Sequence, residues 1–108
     1  FLFRHSLTSE KFTANSSSVR IDTGAQVYDL ATDSYFNDSN VLFTVTLYKS
    51  NGVRVGRYLA SADNAYGGIS YPTTKGQKYY LYFSSQTDFA GTGRYISGWG
   101  RVTPVTVN

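Results

Sequence analysis

The sequence predicts an all-β fold, an antiparallel two-sheet β-sandwich of about eight strands. Two observations carry that prediction. Apolar and polar residues alternate at period two through Asn40–Tyr48, Val53–Leu59 and Lys78–Ser84, the pattern of half-buried strands. Gly, Ser, Thr and Asn interrupt the chain about every 8–12 residues, the rhythm of sandwiches and barrels, and no window sustains a helical period.

The elements follow in order. Phe1–Leu7 reads as a first strand with Phe1, Phe3, His5 and Leu7 on one face. Lys11–Ala14 is a second short piece, ended by Asn15-Ser-Ser-Ser18. Val19–Thr23 and Gln26–Ala31 flank Gly24. Thr32–Asn40 reads as a polar loop. Val41–Lys49 and Val53–Ala60 form a hairpin, because Asn51-Gly52 between two alternating runs is the strongest short-range hairpin signal. Asp63–Gly68 reads as a loop, and Ile69–Tyr71 as a short strand stopped by Pro72. Thr74–Gln77 is a turn in which Gly76 supplies a positive φ. Lys78–Ser84 is a strand, Ser85–Gly93 a loop, and Arg94–Trp99 with Arg101–Val107 closes the fold. Pro104 has no N–H for a ladder and belongs at an edge or a bulge.

Composition bounds what the chain does. At 108 residues it is read as one domain, 1–108, large enough to bury a core without metals or staples. Ten Lys and Arg against seven Asp and Glu give +3, and the cations are spread rather than clustered. That argues against a nucleic-acid arm, although Lys78–Phe83 interleaves basic and aromatic residues. The chain has no cysteine, which excludes disulfides and thiolate metal sites. It also has no methionine, so Phe1 is expected to be the first residue of a processed fragment, after removal of a signal peptide. Secretion without cysteine fits a Gram-positive bacterium, and in a bacterial protein the glycosylation patterns at Asn15 and Asn37 are chance. No apolar stretch approaches the ~20 residues that span a bilayer.

The hairpin register selects the exposed residues. With Asn51-Gly52 at the centre of a two-residue turn, Ser50 faces Val53, Tyr48 faces Val55, Leu47 faces Gly56 and Val45 faces Tyr58. Phe43, Val45, Leu47, Tyr58 and Ala60 then form an almost wholly apolar face, the expected core side. Leu42, Thr44, Thr46, Tyr48, Val55, Arg57 and Leu59 face outward. In the later strand Tyr79, Leu81 and Phe83 go in, while Lys78, Tyr80, Tyr82 and Ser84 go out. If the strands share a sheet, Tyr48, Arg57, Lys78, Tyr80 and Tyr82 make an exposed aromatic and basic surface. Tyrosine offers a flat apolar face and a hydroxyl, suited to stacking on sugars or contacting protein. The competing reading is that cross-strand Tyr–Arg and Tyr–Thr pairs merely stabilise the sheet. Trp99, between Gly98 and Gly100, reads either as core or as a carbohydrate-stacking ring held close to backbone.

No catalytic set is apparent, and the chain is read as a non-enzyme. His5 is the only histidine and falls on the apolar face of its strand, where a structural role is expected. A Ser-His-Asp triad would need it, and no Gly-x-Ser-x-Gly elbow accompanies it. The acids (Glu10, Asp22, Asp29, Asp33, Asp38, Asp63 and Asp88) show no paired spacing, and most fall in turns where Asp is common. No cofactor is expected beyond Ca²⁺. Asp33, Asn37, Asp38 and Asn40 gather the oxygen donors that Ca²⁺ prefers, without an EF-hand pattern.

Two segments, Leu47-Tyr-Lys-Ser-Asn-Gly52 and Lys75-Gly-Gln-Lys-Tyr-Tyr-Leu-Tyr82, resemble the bacterial pre-peptidase C-terminal type of β-sandwich, in which a strand ending Leu-Tyr enters a Gly turn and a Gly-x-x-Tyr-Tyr-Leu strand follows. The resemblance covers about half the chain, and Phe43-Thr-Val-Thr46 stands where that family has an Asp-rich segment. It implies a jelly-roll-like, secreted module that accompanies hydrolases, and no ligand site is carried over from it. Together these readings lead to an extracellular module binding a polysaccharide or cell-surface glycan through Tyr48, Arg57, Lys78, Tyr80, Tyr82 and Trp99. Two alternatives stand beside it. One is a small antimicrobial or enzyme inhibitor acting on a protein through the loops at Asp63–Gly68 and Ser85–Gly93. The other is a structural surface subunit assembling through an edge strand.

Overall fold

The computed structural model describes residues 1–89 and 91–107. Ten strands form: β1 (Leu2–Phe3), β2 (Ser6–Thr8), β3 (Phe12–Ala14), β4 (Ser18–Asp29), β5 (Ser34–Phe36), β6 (Asp38–Lys49), β7 (Arg54–Pro72), β8 (Lys78–Ser85), β9 (Arg94–Thr103) and β10 (Val105–Val107). All pairings are antiparallel. One layer runs β1-β9-β4-β7 and the other β7-β6-β8-β3-β10, with β2 also on β8 and β5 also on β4. The nineteen-residue β7 belongs to both layers. Its first half pairs with β6 through Ala62, and its second half pairs with β4 from Asp63 onward. The pairs nest, β6 with early β7, β4 with late β7, β2 and β3 with β8, and β1 with β9. An antiparallel hairpin nested this way and rolled over on itself is a jelly roll.

The core lies between the layers. Its largest fully buried side chains come from both: Ile21, Val19, Val27 and Ile96 from one, and Tyr79, Phe43, Leu47 and Val45 from the other. Each such burial contributes about 1.5–3 kcal/mol, so packing between the layers holds the sandwich shut. Phe1, Phe3, Phe43 and Phe83 meet at one end with ring centroids 4.8–6.1 Å apart. Tyr79 is buried as a ring, and its hydroxyl accepts the Thr74 N–H at 2.8 Å, tying the β7–β8 turn to the core.

Several expectations are corrected. The first strand breaks at Arg4-His5 into β1 and β2, so Phe1, Phe3 and Leu7 pack inward but His5 is exposed. The residues around Gly24 form one strand, β4, with a register shift between Gly24 and Gln26. The polar loop at 32–40 contains β5 and the start of β6. Asp63–Gly68 is not a protruding loop but the middle of β7, where Asn64 at φ 62° helps turn the strand from one layer to the other. In the loop after β8, Phe89 is buried in the core, while Ala90 lies outside the described residues.

The hairpin turn also differs. The Gly52 N–H donates to Lys49 O at 2.9 Å and the Lys49 N–H to Val53 O at 2.8 Å, closing a three-residue loop. Gly52 alone in it has a positive φ, 90°, so this is a three-residue turn with a glycine bulge rather than a two-residue turn centred on Asn51-Gly52, which needs a positive φ at Asn51. Tyr48 therefore pairs with Arg54, and the extra residue Val55 turns to pack on the core. Beyond this bulge the expected register holds: Leu47 faces Gly56 and Val45 faces Tyr58.

Candidate functional site

The outer face of the second layer collects the predicted tyrosines. Inward Leu47 and Leu81 are paired, so their neighbours Tyr48 and Tyr80 are paired outward. Those rings stack 5.3 Å apart at 18°. Tyr82, beside Thr46, meets the Tyr48 ring edge-on at 6.4 Å and 68°. Two parallel rings and one near-perpendicular ring make a floor and a wall. They border an open cleft of about 620 Å³, completed by Thr8, Ser9, Lys11 and Ser50.

The segment between β2 and β3 holds the far side of the cleft. The Ser9 N–H donates to Leu81 O at 2.9 Å, and Ser9 Oγ accepts the Leu81 N–H at 2.8 Å. The side chain thus takes over a ladder bond where the strand is interrupted. Thr8, Ser9, Lys11 and Ser50 were not foreseen as site residues. Thr8, Ser9 and Lys11 are placed by pairing with β8 some seventy residues later, and Ser50 by donating its N–H to Lys78 O at 3.0 Å; no local pattern reports either. The lining offers phenols, hydroxyls and one ammonium, a set suited to holding a polar ring by stacking and hydrogen bonds.

The remaining predicted residues fall at different distances from the cleft. Arg57 is in register with Thr46 and shares the outer face, two strands from Tyr82. Thr46, between Arg57 and Tyr82, is buried although it faces outward. Lys78 lies beyond Tyr80 with Lys49, Asn51 and Ser50, the last of which also lines the cleft. Among the described residues the ion pairs are Arg20–Asp22 at 2.9 Å and Arg94–Asp29 at 3.6 Å, both on the other layer. Cations near the cleft are therefore not neutralised by a close carboxylate among the described residues.

Trp99 does not join this face. It sits on β9 in the first layer, opposite Gly24, and is 45% exposed. A Cβ at Gly24 would lie 2.9–3.1 Å from the indole, so the ring rests on bare backbone there. The expectation of a ring held close to backbone is met, but on the opposite side of the molecule from the tyrosine cleft.

The oxygen-rich segment is committed to local bonds. Asp33 accepts the Tyr28 hydroxyl at 2.8 Å, Asn37 Oδ1 accepts the Gln26 amide at 2.8 Å, and Asp38 accepts the Asn40 N–H at 2.9 Å. The bond to the Asp33 carboxylate raises the Tyr28 phenol above its ordinary pKa. Among the described residues no three His, Asp or Glu side chains gather in one group. Nor, among them, is any helix long and apolar enough to cross a membrane.

No protein-family model and no curated protein sequence matches this chain.

Proposed function

We propose that the chain is a non-catalytic extracellular module that binds a glycan or cell-wall polymer across Tyr48, Tyr80 and Tyr82. The observation behind this is the stacked Tyr48–Tyr80 pair with Tyr82 set against it at the edge of an open, hydroxyl-lined cleft. Purely structural cross-strand tyrosines need no such opening. A sugar ring would lie on the exposed phenol faces, with Ser9, Ser50 and Lys11 reaching its hydroxyl or anionic groups. Arg57 and Lys78 add positive potential that draws anionic polymers from a distance.

The test is retention of the purified protein on insoluble polysaccharides and bacterial cell walls, with and without chelator. Replacing both Tyr80 and Tyr82 by Ala removes two half-exposed rings and no core contact. At about 0.5–1.5 kcal/mol per aromatic contact, affinity should fall roughly 5- to 150-fold while the far-UV spectrum stays native. Unfolding of the double variant would show that the rings are structural. Failure of the native protein to bind any polymer would sink the reading.

A further inference from the structure

The outer face of the first layer carries a second aromatic surface, assembled from four segments of the chain. Val27 on β4 and Ile96 on β9 point into the core, so Tyr28 and Tyr95 point out, and the two are directly paired. Tyr35 on β5 pairs with Tyr28 from the other side. Phe3 pairs with Ile96, which brings Arg4 level with Tyr95. Arg4, Tyr95, Tyr28 and Tyr35 thus form one row across the sheet, roughly 14 Å long at ~4.8 Å per strand.

The row is ordered by its own bonds. An Arg4 Nη donates to the Tyr95 hydroxyl at 2.9 Å, and the guanidinium lies 4.6 Å from that ring's centre. The Tyr28 ring lies 4.9 Å from Tyr35 and 6.5 Å from Tyr95, and its hydroxyl is held by Asp33. Tyr35 remains 59% exposed. Trp99 is on the same face, four residues along β9 from Tyr95, or about 13 Å at ~3.3 Å per residue. Between them run Ser97 and Gln26, a register pair, and Gln26 holds Asn37. Flat rings at two points with hydroxyl and amide groups between them match a polymer of polar rings. Protein hot spots instead cluster at one desolvated centre, whereas these rings stand at two points with polar groups between them.

We propose that this face is a second binding surface for a pyranose polysaccharide. Because the two surfaces lie on opposite layers of the sandwich, a single chain then bridges two polymer strands. The ligand class rests on the reading of the tyrosine cleft, but the residues do not overlap with it. Engaging both faces of one particle-bound polymer network raises avidity by about 10²–10⁴ without any new contact, provided the geometry allows it.

The sole tryptophan is the probe. Bacterial sacculi and chitin particles are mixed with the monomeric protein, its Tyr80→Ala/Tyr82→Ala variant and a Tyr35→Ala variant, and agglutination, retention and tryptophan fluorescence are recorded. The native protein should agglutinate particles. Tyr80→Ala/Tyr82→Ala should lose agglutination yet keep weakened retention and a polymer-induced change in Trp99 emission. Tyr35→Ala should remain bound through the cleft and agglutinate less. The proposal is overturned if Tyr80→Ala/Tyr82→Ala abolishes retention and the emission change together, which leaves the cleft as the single site. It is also overturned if Tyr35→Ala agglutinates as the native protein does and no variant shows an emission change. Native retention that survives Tyr80→Ala/Tyr82→Ala undiminished would refute the cleft and leave this face as the site, and no native retention refutes both.

Discussion

Gly67 and Gly68 are neighbours on β7, yet the structure predicts opposite outcomes for alanine at the two positions. Gly68 is paired with Asp22, and a Cβ there would fall 1.8 Å from Ile21 O and 2.6 Å from Ile21 C. Real Cβ contacts essentially never come below 3.0 Å, so backbone must shift by more than an ångström. The obstructing atoms are main chain, so no rotamer change relieves the clash. Parting β4 from β7 at this point disrupts about two ladder hydrogen bonds worth roughly 0.5–1.5 kcal/mol each, and residual overpacking adds about 1–3 kcal/mol. Gly68→Ala should therefore destabilise by about 2–6 kcal/mol. At roughly 4–8 °C per kcal/mol for a domain of this size, Tm should fall by about 10 °C or more. Gly67 has nothing within 4 Å of its Cβ position and is exposed, so Gly67→Ala should stay within about 0.5 kcal/mol of the native protein. Differential scanning calorimetry on both variants decides it. Equal melting temperatures would refute the pairing of late β7 with β4, and with it the passage of β7 between layers.

Tyr58 and Tyr71 should part in the same way when changed to Phe. The Tyr58 hydroxyl bonds Thr23 Oγ1 at 2.9 Å and Thr23 is buried, so Tyr58→Phe should cost about 1 kcal/mol in a urea melt. The Tyr71 hydroxyl is buried with no partner among the described residues, so Tyr71→Phe should be neutral or stabilising by the same measure. Burial raises both phenols above their ordinary pKa, with the Thr23 bond partly opposing this at Tyr58. Above pH ~10 the folded state thus holds protons that the unfolded chain has lost, and stability should be full below that pH and fall as pH rises past it. The double Phe variant should show a shallower alkaline decline, and an unchanged slope would refute the assignment. Gly52→Ala places a side chain at φ 90° and should cost about 1–2 kcal/mol through backbone strain alone, since its Cβ position is open.

What was legible in the sequence was local. Alternation in β6 and β8 fixed which residues face in, and Tyr48, Tyr80 and Tyr82 followed because both strands are central and unbroken near the cleft. The turn between β6 and β7 was misread because Asn-Gly suits two hairpin loops that differ by one residue, and the choice moved Val55 from outside to core. Asp63-Asn-Ala-Tyr-Gly-Gly68 carries every mark of a loop. In the fold those residues serve a strand that bends between layers and presses its backbone against Ile21, where glycine is required. The Arg4, Tyr95, Tyr28 and Tyr35 row could not be read at all, since it exists only once β1, β9, β4 and β5 are in register.

Tyrosine serves three distinct purposes here, and position in the pleat decides which. Tyr79 and Tyr80 are adjacent in sequence, yet one is 1% exposed and holds a turn from inside while the other stacks on Tyr48 at the cleft. Tyr58 and Tyr71 flank the crossing of β7, where the rings fill space, the Tyr58 hydroxyl bonds Thr23 and the Tyr71 hydroxyl is buried with no partner among the described residues. Tyr28, Tyr35 and Tyr95 repeat the outward use on the other layer. A phenylalanine in the outward positions would pack against its neighbours equally well but would leave a bare apolar face, a liability in a β protein. A serine would stay hydrated but could not stack. The phenol meets both demands, and for that reason the outward tyrosines, rather than the loops, are where recognition on this fold is best sought.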